Sequence, residues 1–109
     1  MSDTEKEIRR YLADEFGMEE AEIEEMFEMF LETLERLTAE IEESISAGDA
    51  GQLKSTGHSL KGVAANIGAA DIAAIGKSIE DAGTAGEPAK AAEQLEKLKT
   101  ALTSLKQDS

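Results

Sequence analysis

Residues 19–47, EEAEIEEMFEMFLETLERLTAEIEESISA, carry the strongest structural signal in the chain. Their apolar residues recur in alternating steps of four and three, which is the spacing of one face of an α-helix. The residues on this face are Ile23, Phe27, Phe30, Leu34, Leu37, Ile41 and Ile45. Gly48 follows them as a helix stop, so we predict one long amphipathic helix over residues 19–47.

The segment before this helix predicts a shorter one over Thr4–Phe16. Thr4 and Glu7 have the spacing of a capping box, and Gly17 supplies the stop. One face of this helix carries Ile8, Tyr11, Leu12 and Phe16. We therefore expect residues 1–17 to form an accessory N-terminal helix.

A third helix is predicted to follow the long one after a tight turn. Asp49 stands three residues before Gln52, which is the spacing of an N-cap, and the helix continues to about Ile67. Gly68 can adopt the left-handed conformation that ends it. Because the turn before it is so short, the second and third helices should be antiparallel neighbours.

Two more helices complete the prediction. The fourth has Asp71 in its first turn and ends near Gly83, and residues 83–87 are expected to form a loop. Pro88 suits the first position of a fifth helix. The apolar face of that helix is predicted to carry Ala91, Leu95, Leu98, Leu102 and Leu105.

These elements predict an all-α protein, an up-down antiparallel four-helix bundle with an additional short N-terminal helix. Residues 18–106 would form the bundle, and residues 107–109 would be a frayed tail. A continuous coiled coil is the rival fold. Glycines at positions 17, 48, 68, 83 and 86 interrupt the pattern too often for it.

Composition excludes several classes of function. The chain has 24 acidic and 11 basic residues and a net charge of −13, so nucleic acid and membrane surfaces are expected to repel it. It has no cysteine, which excludes disulfides and thiolate chemistry and fits a reducing cytoplasm. No apolar run approaches the roughly 20 residues that span a bilayer, and the acidic N-terminus lacks the features of a signal peptide.

The chain has one histidine, His58, and helical periodicity turns it away from the core. At about 100° per residue, Leu53, Gly57 and Leu60 fall in the core sector, and His58 points roughly 140° away from it. Lys54 lies four residues before His58 and Lys61 three residues after it. A lone exposed histidine is usually only a surface residue, so these neighbours decide how it is interpreted.

Two glycines inside the third helix need an explanation, because each costs about 0.5 to 1 kcal/mol relative to alanine. Gly57 lies on the predicted core side, where it would let a neighbouring helix approach closely. Gly62 faces away from the core beside His58 and has no such structural reason. We predict that Gly62 leaves the imidazole uncovered.

An uncovered imidazole between two lysines suits transfer of an anionic group. A neutral histidine nitrogen is a competent nucleophile, and a nearby lysine would stabilise a phosphoryl group placed on it. No metal site is expected, because the chain has no second histidine and no cysteine. Ser59 projects about 100° away around the helix and is a poor triad partner. Phosphoryl transfer on His58 is therefore the favoured chemistry.

Residues 58–68, HSLKGVAANIG, resemble the signature of histidine-containing phosphotransfer (HPt) domains, and the resemblance continues through Ile79 and Glu80. It covers the second to fifth helices. It implies that His58 accepts a phosphoryl group from a receiver-domain aspartate or a histidine kinase and passes it to a response-regulator receiver. It also implies that Lys61 is the nearby positive charge and that Gly62 leaves space for the partner. The receiver would supply magnesium and most catalytic groups, so the chain needs no cofactor and is not expected to be an enzyme.

We place the expected partner surface on the small residues Gly62, Ala65 and Ala69 and on the adjacent part of the second helix, with Lys54 as a charged contact. A free-standing monomeric carrier is expected. One alternative is an acidic helical module that binds a receiver without transferring phosphate. Another is a homodimer formed through the strip of His58, Gly62, Ala65 and Ala69.

Overall fold

The computed structural model describes residues 1–107, and these residues form five helices and no strand. The helices are α1 (Asp3–Phe16), α2 (Glu20–Ala47), α3 (Ala50–Asn66), α4 (Ala70–Ala85) and α5 (Pro88–Gln107). Helices α2 to α5 follow one another through short turns and pack as a bundle, and α1 is the additional helix. The predicted all-α fold is confirmed. Within residues 1–107, no helix is long and apolar enough to cross a membrane.

The core lies between α2, α3, α4 and α5 and consists of the predicted apolar faces. Its fully buried side chains include Phe27, Leu34, Ile41, Leu60, Ile72, Ile79 and Leu98. Ile45, Ile75 and Leu102 are only partly buried and pack against the edge of this core. Removing these apolar surfaces from water is the main stabilising contribution to such a bundle.

Helix α1 is packed tightly against the bundle. Its residues Ile8 and Leu12 are fully buried, and a side chain at Gly68, after α3, would collide with the ring of Tyr11. The predicted capping box at its start was wrong. The N-cap is Ser2, whose hydroxyl accepts a hydrogen bond from the Glu5 backbone N–H at 3.1 Å.

The connection between α4 and α5 also differs from the prediction. Helix α4 does not end near Gly83 but continues to Ala85, and Gly86 ends it with a φ of 68°. Gly83 is buried, and a Cβ there would lie 2.6 Å from the backbone nitrogen of Lys54. Gly83 therefore allows close contact between α3 and α4 and does not form a turn. Pro88 does begin α5, and the helix includes Gln107, whereas positions 108 and 109 of the predicted tail lie outside the described residues.

Glycines bring the backbones of α3 and α4 into direct contact. A Cβ at Gly57 would lie 2.5 Å from the backbone nitrogen of Glu80, and one at Gly76 would lie 2.5 Å from that of Lys61. The prediction that Gly57 permits a close helix approach is confirmed. The pairings of residue 57 with 80 and of 61 with 76 make the helices antiparallel and place Glu80 beside the histidine face of α3.

Candidate functional site

His58 lies on the exposed face of α3, as the helical periodicity predicted. Its side chain is 67% exposed, whereas that of Glu80 on α4 is only 17% exposed. The Nδ1 atom of His58 lies 2.8 Å from Oε2 of Glu80. A carboxylate on the neighbouring helix therefore holds one nitrogen of a solvent-facing imidazole.

The same carboxylate also binds Lys61. The Nζ atom of Lys61 donates a hydrogen bond to Oε1 of Glu80 at 2.9 Å, so the two oxygens of Glu80 hold two different residues of α3. These residues lie three positions apart, on one side of the helix. Lys61 is therefore linked to His58 through Glu80, whereas the sequence predicted a separate flanking charge.

The contacts of Glu80 determine its charge and the proton position on His58. The hydrogen bond from Lys61, and after it the hydrogen bond from His58, hold the pKa of Glu80 below its ordinary value, so the carboxylate is ionised at neutral pH. An ionised carboxylate can only accept hydrogen bonds, so the Nδ1 atom that contacts it must carry a proton. In a neutral imidazole, Nε2 is then the nitrogen with the available lone pair.

The surface beside the imidazole is open at Gly62. A Cβ built at this residue meets no heavy atom within 4 Å, and the residue is exposed. Lys54, one turn before His58, is also exposed. In the described part of the chain, its side chain makes no hydrogen bond or ion pair, in contrast to that of Lys61.

The predicted strip of small residues is shorter than expected. Ala65 is exposed, but Ala69 is fully buried and is the N-cap residue of α4. The placement of Ala69 on the partner surface was wrong. Helix α3 ends at Asn66, so helical spacing no longer applies beyond that residue. The dimer strip proposed through Ala69 is interrupted for the same reason.

Sequence reasoning did not recognise Glu80 as a site residue, although the resemblance included it. His58 and Glu80 are 22 positions apart in different helices, so no local spacing connects them. The available signal was Gly57, which was already assigned to a close helix contact. Pairing Gly57 with residues of α4 would have brought Glu80 next to His58.

Residues 1–107 contain no group of three or more histidine, cysteine, aspartate or glutamate side chains placed to hold a metal ion.

Fold and site together define an all-α bundle that presents a carboxylate-bound histidine at its surface. The family model of the Hpt domain matches residues 25–108, and the chain belongs to this family. Hpt domains serve histidine phosphotransfer in two-component signalling, as carriers that interact with receiver domains and kinases. Comparisons with curated proteins and with solved structures yield no match. Helix α1 and the first turn of α2 lie outside the matched residues.

Proposed function

We propose that this protein is a phosphorelay carrier in which Nε2 of His58 accepts the phosphoryl group. The donor would be either a receiver domain phosphorylated on its aspartate or a histidine kinase. The acceptor would be the receiver domain of a response regulator. The observation that carries the proposal is the 2.8 Å contact between Nδ1 of His58 and Oε2 of Glu80. This contact directs the proton to Nδ1 and so leaves Nε2 as the nucleophile.

Transfer of the phosphoryl group from an aspartyl phosphate to His58 requires no proton transfer. The Nε2 lone pair forms the N–P bond while the bond between phosphorus and the aspartyl oxygen breaks, and the electron pair of that bond leaves with the aspartate carboxylate. The ring becomes cationic and keeps its Nδ1 proton. Glu80 already faces that proton, so its negative charge stabilises the positive charge that develops on the ring. Passing the phosphoryl group to the next receiver reverses these steps.

Lys61 acts in this proposal mainly as a positioning residue. The carboxylate that stabilises the cationic ring would also repel the incoming phosphoryl group. The hydrogen bond from Lys61 offsets part of the charge of Glu80 and fixes the direction of the carboxylate. Loss of Lys61 should therefore weaken transfer without removing the bond-forming atom.

The remaining catalytic groups are assigned to the partner. A receiver would hold magnesium with its own carboxylates and bring it to the phosphoryl group, so no metal is required on this chain. The protein would meet these receivers in the cytoplasm. Gly62 would leave room above His58 for the metal-containing site of the receiver.

The test is incubation of the full chain with receiver domains charged with acetyl phosphate, followed by detection of acid-labile, base-stable phosphate. We expect wild type to be labelled and His58→Gln to remain unlabelled, with nearly the same melting temperature because the side chain is mostly exposed. Labelling of His58→Gln at the wild-type rate would refute the assignment.

A second measurement tests the role of Glu80. We expect Glu80→Gln, which lacks the ionised carboxylate, to slow labelling and to raise the fraction of His58 that carries its proton on Nε2. NMR of the imidazole nitrogens reports that fraction directly, and a purely structural role would not change it. An unchanged tautomer ratio would show that Glu80 does not direct the proton.

A further inference from the structure

The first half of α2 presents apolar side chains to solvent. Four large apolar side chains are exposed in the described part of the chain, and two of them, Met26 and Met29, lie on α2. They are 37% and 56% exposed. Positions three apart are neighbours on a helix surface, so these two side chains form one strip. Single exposed apolar residues are common, whereas contiguous ones mark interaction sites.

Glutamates border this strip on the solvent side. Residues 19–32, EEAEIEEMFEMFLE, contain seven glutamates and no lysine or arginine. Glu25 lies one turn before Met29, Glu28 lies beside it and Glu32 lies one turn after it, and all three are exposed. Within the described residues, none of the three makes a hydrogen bond or an ion pair. We call Met26, Met29 and these three glutamates the methionine face.

The charge of the methionine face has no compensation within the fold. Farther along α2, Glu35, Glu40 and Glu42 each pair with a lysine or an arginine. Glu20 and Glu22 lie in the first turn, where the helix dipole favours a negative charge, but that effect ends with the first turn. The glutamates of the methionine face lie beyond it, and like charges at spacings of three and four repel one another.

Helix α1 contacts α2 on another side. Arg9 of α1 donates a hydrogen bond to Glu24 at 2.9 Å, and its guanidinium group lies 5.0 Å from the centre of the Phe27 ring. Glu24 and Met26 are two positions apart and therefore point about 200° apart around the helix. The exposed fractions of Met26 and Met29 apply with α1 in place.

The methionine face is also separate from the histidine. His58 faces α4, where it contacts Glu80, whereas Gln52 of α3 lines a surface cavity together with residues of α2. The turn between α2 and α3 is short, so His58 lies level with residue 39 of α2. Met29 is ten residues from that level, or about 15 Å along the helix. A partner on the methionine face therefore need not cover His58.

We infer that the methionine face binds a basic amphipathic helix of a partner protein. The apolar side of such a helix would bury the two methionines, whose flexible side chains adapt to a partner. Its lysines and arginines would pair with Glu25, Glu28 and Glu32 and remove their mutual repulsion. A second copy of this chain, with a net charge of −13, lacks that complementary charge. The inference does not depend on the proposed phosphotransfer.

The experiment measures binding of a labelled helical peptide of leucine and lysine to the full chain by fluorescence anisotropy. We expect wild type to bind and Met29→Gln to bind about fivefold more weakly at every salt concentration, because loss of apolar contact is not screened. Glu28→Gln should weaken binding about threefold at low salt and have no effect at high salt, because exposed charge contacts are screened. A peptide with glutamine in place of leucine should bind about tenfold more weakly than the leucine peptide.

Matched variants control for general effects of substitution. Ala39→Gln and Glu43→Gln change exposed positions of α2 outside the methionine face, and both should bind the peptide like wild type. The inference is refuted if wild type does not bind, if Met29→Gln binds like Ala39→Gln, or if the glutamine peptide binds as tightly as the leucine peptide. If sedimentation shows a wild-type dimer that Met29→Gln does not form, the partner is a second copy and the basic helix is refuted.

Discussion

Replacing Gly62 with glutamine is expected to stabilise the fold and to impair phosphotransfer. A Cβ at this position meets no heavy atom within 4 Å, so the new side chain causes no steric strain. Replacing an exposed glycine inside a helix with a good helix former stabilises a protein by about 0.5 to 1 kcal/mol. In a domain of this size, that gain raises the melting temperature by about 2 to 5 °C.

The same side chain would stand one turn after His58, in the space that the active site of a receiver would enter under the proposed function. We expect the rate of transfer to fall about tenfold or more, because small displacements of reacting groups have large effects on rate. Gly62→Ala should stabilise the fold to a similar extent with a smaller loss of transfer. Thermal melting by circular dichroism and initial rates of labelling measure the two effects. A lower melting temperature, or normal transfer by Gly62→Gln, would refute the reasoning.

Three further predictions follow from contacts between α3 and α4. Gly57→Ala should destabilise the fold by about 1 to 3 kcal/mol, because its Cβ would lie 2.5 Å from the Glu80 nitrogen; an unchanged melting temperature would contradict this. Lys61→Ala should slow labelling of His58 without abolishing it. If the variant and wild type are labelled at the same rate at every salt concentration, Lys61 has no role in transfer. The hydrogen bonds from Lys61 and His58 lower the pKa of folded Glu80, so their stabilisation is present above the ordinary carboxylate range and is lost as the pH falls through the lowered pKa. The difference in melting temperature between wild type and Glu80→Gln should therefore shrink on acidification, and a constant difference would argue against the ion pair.

Two kinds of feature that depend on local sequence were predicted correctly. The core face of α2 follows from helical spacing alone, and Phe27, Leu34 and Ile41 are fully buried as expected. Gly48 and Gly68 were expected near helix ends, and both have positive φ angles, 67° and 79°. Neighbouring residues determine both kinds of feature, so no knowledge of tertiary packing was needed.

Two of the errors arose where tertiary packing decides the outcome. Glycine commonly ends helices, but Gly83 lies inside α4. Its side chain is missing because the backbone of α3 occupies that space. Helical spacing along α3 predicts that Ala69 is exposed, but the helix ends at Asn66 and the chain then turns and buries Ala69. A sequence pattern alone does not show which role a small residue has.

The site itself depends on the same packing. Glu80 can hold both Nδ1 of His58 and Nζ of Lys61 because Gly57 and Gly76 let the backbones of α3 and α4 touch. Larger residues at these glycines would move α4 outward, and one carboxylate would no longer reach both groups. Gly57 therefore brings Glu80 beside His58 through packing, whereas Gly62 would serve the proposed transfer through open space. The two glycines of one helix therefore have opposite surroundings, and only the position of α4 distinguishes them.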